Sequence, residues 1–300
     1  MRGDHRYKFK YRNLPVFSGK TLLTLLNIPP NSLPKTIMLD GSLGAGIITV
    51  YVEISKDSII FDGERFIAEL PRRYLEEIVN NTRRIYGLTE DDLIPLAMVG
   101  ADNKYYQLSL FEGCRTPTVE ISGIHMHRVV VDPLFVDAKR KVKALDPKRG
   151  GLVLEICTGL GYSTYWLLKG KCRVITIEKS TEVLELASWN PWSRHLRNAD
   201  ILLGDATLVI ENLPDNSFDY VLHDPPRISL APELYSTTFY SEIHRVIKPE
   251  GIFFHYVGEP GRKQGKNYLR GVISRLECAG FKVFRYDQKT QGVIAVCVKR

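Results

Sequence analysis

The chain is poor in cysteine: there are five in 300 residues, Cys114, Cys157, Cys172, Cys278 and Cys297, and no two form a CxxC pair. That spacing excludes a zinc ribbon and a disulfide framework, and a reducing cytoplasm is the expected setting. No apolar run approaches the ~18 residues of a membrane span. The opening stretch MRGDHRYKFKYR lacks the apolar segment of a secretory signal. Internal repeats and low-complexity segments are also absent. With 44% apolar and 25% charged residues, the composition is that of a folded globular protein.

The length suits two domains, or one α/β domain with an appendage. Net charge is +7, divided almost evenly between the two halves of the chain. The exception is the N-terminus, where Arg2, Arg6, Lys8, Lys10, Arg12 and Lys20 face only Asp4 and alternate with Tyr7, Phe9 and Tyr11. Such an arm suits nucleic acid, through phosphate charge and base stacking. It equally suits an edge strand with one solvated face.

Residues 1–131 read as an α+β, mostly β, accessory domain. TIMLD (36–40) and IITVYVEI (47–54) are rich in β-branched residues, and SIIF, Asp62-Gly63 and ERFIAEL predict a hairpin turning at the Asp-Gly. The apolar spacing of 71–86 predicts a helix ended by Gly87. LIPLAMV and NKYYQLSLF predict a further strand pair. Residues 132–150 form a basic connector with room for one short helix. From 151 to 300 strands and helices alternate, with strands expected at 152–157, 173–178, 200–204, 219–223, 251–256, 282–286 and 292–298. Helices are expected at 162–169, 181–190, 235–247 and 266–279. This alternation predicts a mostly parallel sheet covered on both faces. The short turn DQKTQG forces the last two strands to pair antiparallel.

The acids and glycines recur where strands end. LVLEI ends in Glu155 and a small-residue loop, Cys157-Thr158-Gly159-Leu160-Gly161, and Tyr162 opens a helix. Strand, glycine turn and helix start make a cradle for a nucleotide-like ligand. RVITIE ends in Glu178, followed by Lys179, where an acid can accept from ribose hydroxyls. LLGDA ends in Asp205-Ala206, placed to meet an adenine amine. FDYVLHDPPR ends in His223-Asp224-Pro225-Pro226-Arg227.

This combination resembles the class I S-adenosylmethionine-dependent methyltransferases over residues 150–300, with Cys157 where that family usually has its first glycine. The resemblance implies a Rossmann-like seven-stranded sheet and S-adenosylmethionine as cofactor. It implies the methionine part beside Glu155–Gly161 (with Cys157, Thr158 and Tyr162), ribose at Glu178 and Lys179, adenine near Asp205 and Ala206, and the reacting methyl near Asp224. The strings GIHMHR (123–128), NPWSR (190–194), ELYSTTFYSEIHRVIKPEG (233–251) and FHYVGEPG (254–261) are similar to an archaeal group of predicted methyltransferases with an N-terminal appendage.

In amino-methylating enzymes an Asp/Asn-Pro-Pro-aromatic motif holds the target amine, and here Arg227 replaces the aromatic residue. Asp-Pro-Pro-Arg is also similar to RNA uracil C5-methyltransferases, but the next strand, GIFFHYVG, has no cysteine nucleophile. His223, Asp224, Pro225, Pro226, Arg227, His255 and Tyr256 are the expected catalytic group, with either histidine able to take an acceptor proton or to serve as an in-sheet residue. Trp192 in Asn190-Pro191-Trp192 is a candidate for cofactor packing or for a core role. His125 and His127 have HxH spacing but no third metal ligand. Gly258-Glu259-Pro260-Gly261, with Arg262, Lys263 and Lys266, reads as a basic loop.

The expected acceptor is RNA, reached through the basic surface and the N-terminal arm, with no membrane partner and no metal. A small-molecule methyl acceptor stays open. Aminopropyl transfer of the spermidine synthase kind is the first alternative, supported by the helix after the fourth strand. A binding module without activity is the second.

Overall fold

The computed structural model describes residues 5–258 and 265–299. The chain divides into two compact units. One comprises residues 1–9, 134–181 and 195–300, and the other 10–133 and 182–194.

Along the chain, β1 (Arg6–Tyr7) belongs to the first unit. The second unit contains β2 (Val16–Ser18), α1 (Gly19–Leu26), β3 (Lys35–Asp40), β4 (Thr49–Ile54), β5 (Ser58–Gly63), β6 (Ile67–Pro71) and α2 (Arg72–Ile78). It continues with β7 (Ile85–Leu88), β8 (Leu93–Pro95), β9 (Ala97–Val99), β10 (Tyr105–Ser109), β11 (Thr118–Ile121) and β12 (Ile124–His125). The order β3-β4-β5-β6 is an antiparallel meander. Burial alternates along it, so Val50, Val52, Ile54, Ile59, Phe61, Ala68 and Leu70 line one core face. Two expectations are corrected here. The hairpin turns at 64–66, because Asp62 and Gly63 are paired within β5. The helix expected over 71–86 stops at Ile78, because Ile85–Leu88 is drawn into a sheet between β2 and β8, where all four of its residues are buried.

After a six-residue π-helical turn (Pro133–Ala138) come α3 (Lys139–Leu145), β13 (Leu152–Ile156), α4 (Tyr162–Lys169), β14 (Arg173–Glu178) and α5 (Thr181–Trp189). They are followed by β15 (Asp200–Leu203), α6 (Ala206–Val209), β16 (Phe218–His223), α7 (Thr237–Val246), β17 (Ile247–Tyr256), α8 (Gly265–Cys278), β18 (Phe281–Asp287) and β19 (Gly292–Cys297). The sheet order is β1-β15-β14-β13-β16-β17-β19-β18. Strands β13 to β17 run parallel, β19 is antiparallel to β17, and β18 pairs antiparallel with β19, as the short turn requires. Seven of these strands are the ones predicted. The eighth, β1, is the basic N-terminal arm, which pairs antiparallel with β15 as an edge strand.

Side-chain alternation divides this sheet into two layers. Leu154, Ile156, Val221 and Phe253 pack with Phe239, Ile243 and Val246 of α7 and with Val272 and Leu276 of α8. Val153, Tyr220, Leu222 and Phe254 pack with Val142 and Leu145 of α3 and Leu167 of α4. The α7 residues follow helical spacing, and Ser236 caps that helix by accepting from the Phe239 N–H at 3.1 Å. Among the described residues no helix is long and apolar enough to cross a membrane.

The turn into α4 admits no side chain at Gly161, whose φ is +73°. A Cβ there would lie 2.5 Å from Leu196. Gly161→Ala is therefore expected to cost on the order of 1–3 kcal/mol, read as a lower midpoint in denaturant unfolding.

Candidate active site

Parallel strands of one sheet deliver their following loops to one edge, and open α/β sheets bind ligands there. At that edge β13 ends in Glu155, β14 in Glu178, β15 leads to Asp205 and β16 to Asp224. Desolvation, and after it the field of all four carboxylates, pushes the Cys157 thiol well above its usual value. Carboxylates at this edge can accept hydrogen bonds from a ligand's hydroxyl or amino groups.

Each carboxylate is held differently. Glu155 is buried beneath the loop and accepts a hydrogen bond from the Thr164 hydroxyl of α4. Burial raises its carboxyl to about 7, against the opposing hydrogen bonds of Thr164 and Thr176. Glu178 accepts from the backbone N–H of Gly159 at 2.8 Å, Lys179 at 2.9 Å and Ser180 at 3.0 Å. Burial still raises its carboxyl. Asp205 caps α6 by accepting from the Thr207 N–H at 3.0 Å, and Lys179 Nζ donates to it at 2.8 Å. Burial pushes Asp205 up, but Lys179 and Thr207 outweigh it and hold the carboxyl below its usual value.

Asp224 is paired with Lys141, a residue that sequence reasoning missed. Lys141 Nζ donates to both Asp224 oxygens at 2.8 and 2.7 Å and stands 2.7 Å from Asp137. It also lies 4.2 Å from the centre of the Tyr256 ring. The Lys141 and Asp137 side chains are 5% and 4% exposed, whereas Asp224 is 24% exposed and forms the open end of the triad. Burial disfavours the ammonium, yet the two aspartates outweigh it and Lys141 stays protonated. The available signal was the i,i+4 pair Asp137/Lys141 on a helix whose apolar stripe includes Ala138, Val142 and Leu145.

The glycine loop takes the expected form. Gly159 has φ +54°, and Cys157 has φ +72°. A glycine would suit position 157 through its backbone freedom, and not only through size. Thr158 is tied to Thr176 by a 2.6 Å hydroxyl contact, Tyr162 is buried at the start of α4, and Ala206 is buried at the start of α6.

The structure separates the group expected around Asp224. His223 and His255 pair across β16 and β17 and stack with ring centroids 4.6 Å apart. Alternation turns both to the α7 side, against Phe239 and Phe253, whereas Tyr256 lies on the Lys141 side. Among the described residues neither ring nitrogen of His223 has a hydrogen-bond partner, and His255 Nε2 meets the Tyr240 hydroxyl at 2.9 Å. Burial drives both imidazoles down, His223 well below its usual value and His255 to about 3. Pro225 is buried, the Pro226 carbonyl accepts from the Tyr235 hydroxyl at 2.8 Å, and Arg227 is exposed.

Of the remaining candidates, Trp192 donates its indole N–H to the Leu43 carbonyl at 3.2 Å. His127 Nδ1 meets the Thr118 hydroxyl at 2.8 Å, and His125 stands edge-on to Phe111. Among the described residues no three His, Cys, Asp or Glu side chains form a metal-binding group. Glu259, Pro260, Gly261, Arg262 and Lys263 lie outside the described residues.

Comparison with known proteins agrees with this architecture. A family model described as a methyltransferase domain matches residues 153–251. An uncharacterized protein of Methanocaldococcus jannaschii is 41% identical over 249 residues, covering 80% of this chain and 85% of that protein. The 23S rRNA (uracil(1939)-C(5))-methyltransferase RlmD of Legionella pneumophila is 33% identical over 91 residues, 30% of this chain and one fifth (20%) of that enzyme. Among solved structures, spermidine synthase from Thermotoga maritima superposes with a TM-score of 0.52 at 16% identity, covering 67% of this chain and 71% of that one.

Two outcomes follow from the buried charges. Between pH 4.5 and about 7 folded Glu155 keeps a proton that the unfolded chain has lost, so rising pH removes stability. Glu155→Gln lacks this loss. In urea titrations across that window its stability relative to wild type should rise with pH by on the order of 2–3 kcal/mol. Lys141→Met removes the ammonium from buried Asp137 and should cost roughly 3–5 kcal/mol. Adding Asp137→Asn should restore part of that loss in a double-mutant cycle.

Proposed function

Because this chain belongs to the class I S-adenosylmethionine-dependent methyltransferases, in one family with the Methanocaldococcus jannaschii protein, we propose that it methylates RNA at a base amine or a hydroxyl. S-adenosylmethionine supplies an electrophilic methyl group when bound. The residues fit that donor. The loop from Cys157 to Gly161 has open backbone, Glu178 is fixed at the strand end for ribose, Asp205 stands at the adenine position, and the combined carboxylates favour a sulfonium cation.

The observation that carries the acceptor reading is Asp224 held by Lys141 at the end of β16, beside the exposed Arg227. Asp224 can accept a hydrogen bond from the N–H or O–H of the acceptor and orient its lone pair toward the methyl group. Arg227 can stack on a base or pair with a phosphate. The partial match to an rRNA methyltransferase supports RNA as the acceptor class. Covalent uracil C5 chemistry is disfavoured, since β17 from Gly251 to Tyr256 has no cysteine and the half-buried Cys157 thiol is pushed away from ionisation.

Aminopropyl transfer to a polyamine is the second reading, favoured by the shared fold with spermidine synthase. Lys141 argues against it. An ammonium already bonded to both oxygens of Asp224 occupies the carboxylate that a cationic amine would seek.

Purified protein with labelled S-adenosylmethionine should transfer label to a tRNA or rRNA fraction and not to protein or metabolite fractions. Asp224→Ala should abolish transfer while keeping most cofactor affinity, and Glu178→Ala should weaken cofactor binding in calorimetry. Label confined to a metabolite fraction, or turnover of decarboxylated cofactor with putrescine, would overturn the reading.

A further inference from the structure

Besides the basic N-terminal arm, one stretch of the chain concentrates positive charge. Residues 139–173 hold nine Lys and Arg and two acids, a balance of +7, equal to the net charge of all 300 residues. The rest of the chain is neutral. Within the segment Lys141 and Glu155 are buried, so the exposed side chains carry the whole excess.

Three of the exposed cations, Lys139, Arg140 and Lys143, lie on α3. Lys148 and Arg149 follow in its exit turn, and Lys169, Lys171 and Arg173 mark the end of α4 and the start of β14. Backbone hydrogen bonds join these stretches. The Gly150 N–H donates to the Lys171 carbonyl at 2.9 Å, and the Arg173 N–H to the Gly151 carbonyl at 2.9 Å. The helices meet at Trp166, where Lys139 Nζ and Lys169 Nζ lie 4.9 and 5.0 Å from the ring centre. Tyr165 stands edge-on to that ring at 5.2 Å. Among the described residues, Lys148 alone of these cations makes an ion pair, with Asp146.

We propose that this α3/α4 face is the surface on which the acceptor RNA lies, its phosphates on the exposed lysines and arginines and an unpaired base against the Tyr165–Trp166 pair; this rests on RNA as the acceptor class. Charge complementarity selects a polyanion, and aromatic rings among cations suit nucleic acid. A membrane surface fits less well, because none of the large exposed apolar side chains lies between residues 139 and 173. The exposed face of the β3–β6 meander is a poor alternative, since it carries Glu53, Asp62 and Glu69. Helix α3 links the face to the chemistry. Its buried Lys141 holds Asp224, while its neighbours Arg140 and Lys143 are exposed, so RNA on this face lies within one helix diameter of the acceptor-side carboxylate.

The test uses the full chain and the variant Arg140→Glu/Lys143→Glu/Lys171→Glu, whose altered residues lie outside the strand-end loops that hold Glu155, Glu178, Asp205 and Asp224. Anisotropy with labelled tRNA and rRNA is followed across a potassium chloride series, with calorimetry for S-adenosylmethionine. The proposal expects RNA affinity to fall at least about tenfold. The slope of log affinity against log salt should shrink by about 0.7–0.9 for each phosphate that the variant no longer neutralises, with cofactor affinity unchanged. An unchanged RNA affinity and slope, in a protein that still methylates RNA, would overturn this surface and leave the proposed function standing. Wild-type protein that binds phosphatidylserine vesicles through these residues and neither binds nor methylates RNA would overturn both.

Discussion

Four carboxylates crowd one edge of one parallel sheet, and their mutual repulsion is the constraint that the local structure answers. Coulomb energy at such separations is large unless it is screened or neutralised. The protein uses a different device for each acid. Glu155 is buried deeply enough to favour its proton. Glu178 is wrapped by three backbone N–H groups. Asp205 takes a helix start and Lys179. Asp224 takes Lys141, which is itself anchored by buried Asp137. Each acid is thus accommodated without forcing the loops apart.

The same sheet explains why the two histidines beside Asp224 do not join it. A strand turns successive side chains to opposite faces. His223 therefore shares the α7 and α8 layer with Val221, and His255 shares it with Phe253, whereas Tyr256 lies with Phe254 on the α3 layer. Packed among Phe239, Tyr235 and Phe253, the stacked imidazoles are held neutral by burial. Their nearness to the motif in sequence is a register effect.

Helix α3 unites the two charge patterns. Its inner side supplies one buried ammonium to Asp224, and its exposed positions Lys139, Arg140 and Lys143 are cations. The connector, basic by composition, is thus the element that pairs with the carboxylate at the end of β16. A division of the chain into halves at residue 150 conceals this, because the basic segment straddles that point and its two stretches meet through the hydrogen bonds of Gly150 and Arg173 and through Lys139 at Trp166.

The glycine loop and the acids at three further strand ends were legible from the sequence, because each is a local strand–turn–helix pattern whose spacing is set by backbone geometry, and the seven-stranded sheet followed from the resemblance to the class I methyltransferases. The helix expected over 71–86 was legible only to Ile78, since the burial of Ile85–Leu88 between two strands overrode its local periodicity. The sequence by itself determined the fold class and, through the family resemblance, the cofactor. Only the tertiary structure decided which side chains face the carboxylate-bearing edge of the sheet. The Lys141–Asp224 pair spans 83 residues, and no local spacing rule records a pairing that exists only once α3 has packed on the sheet.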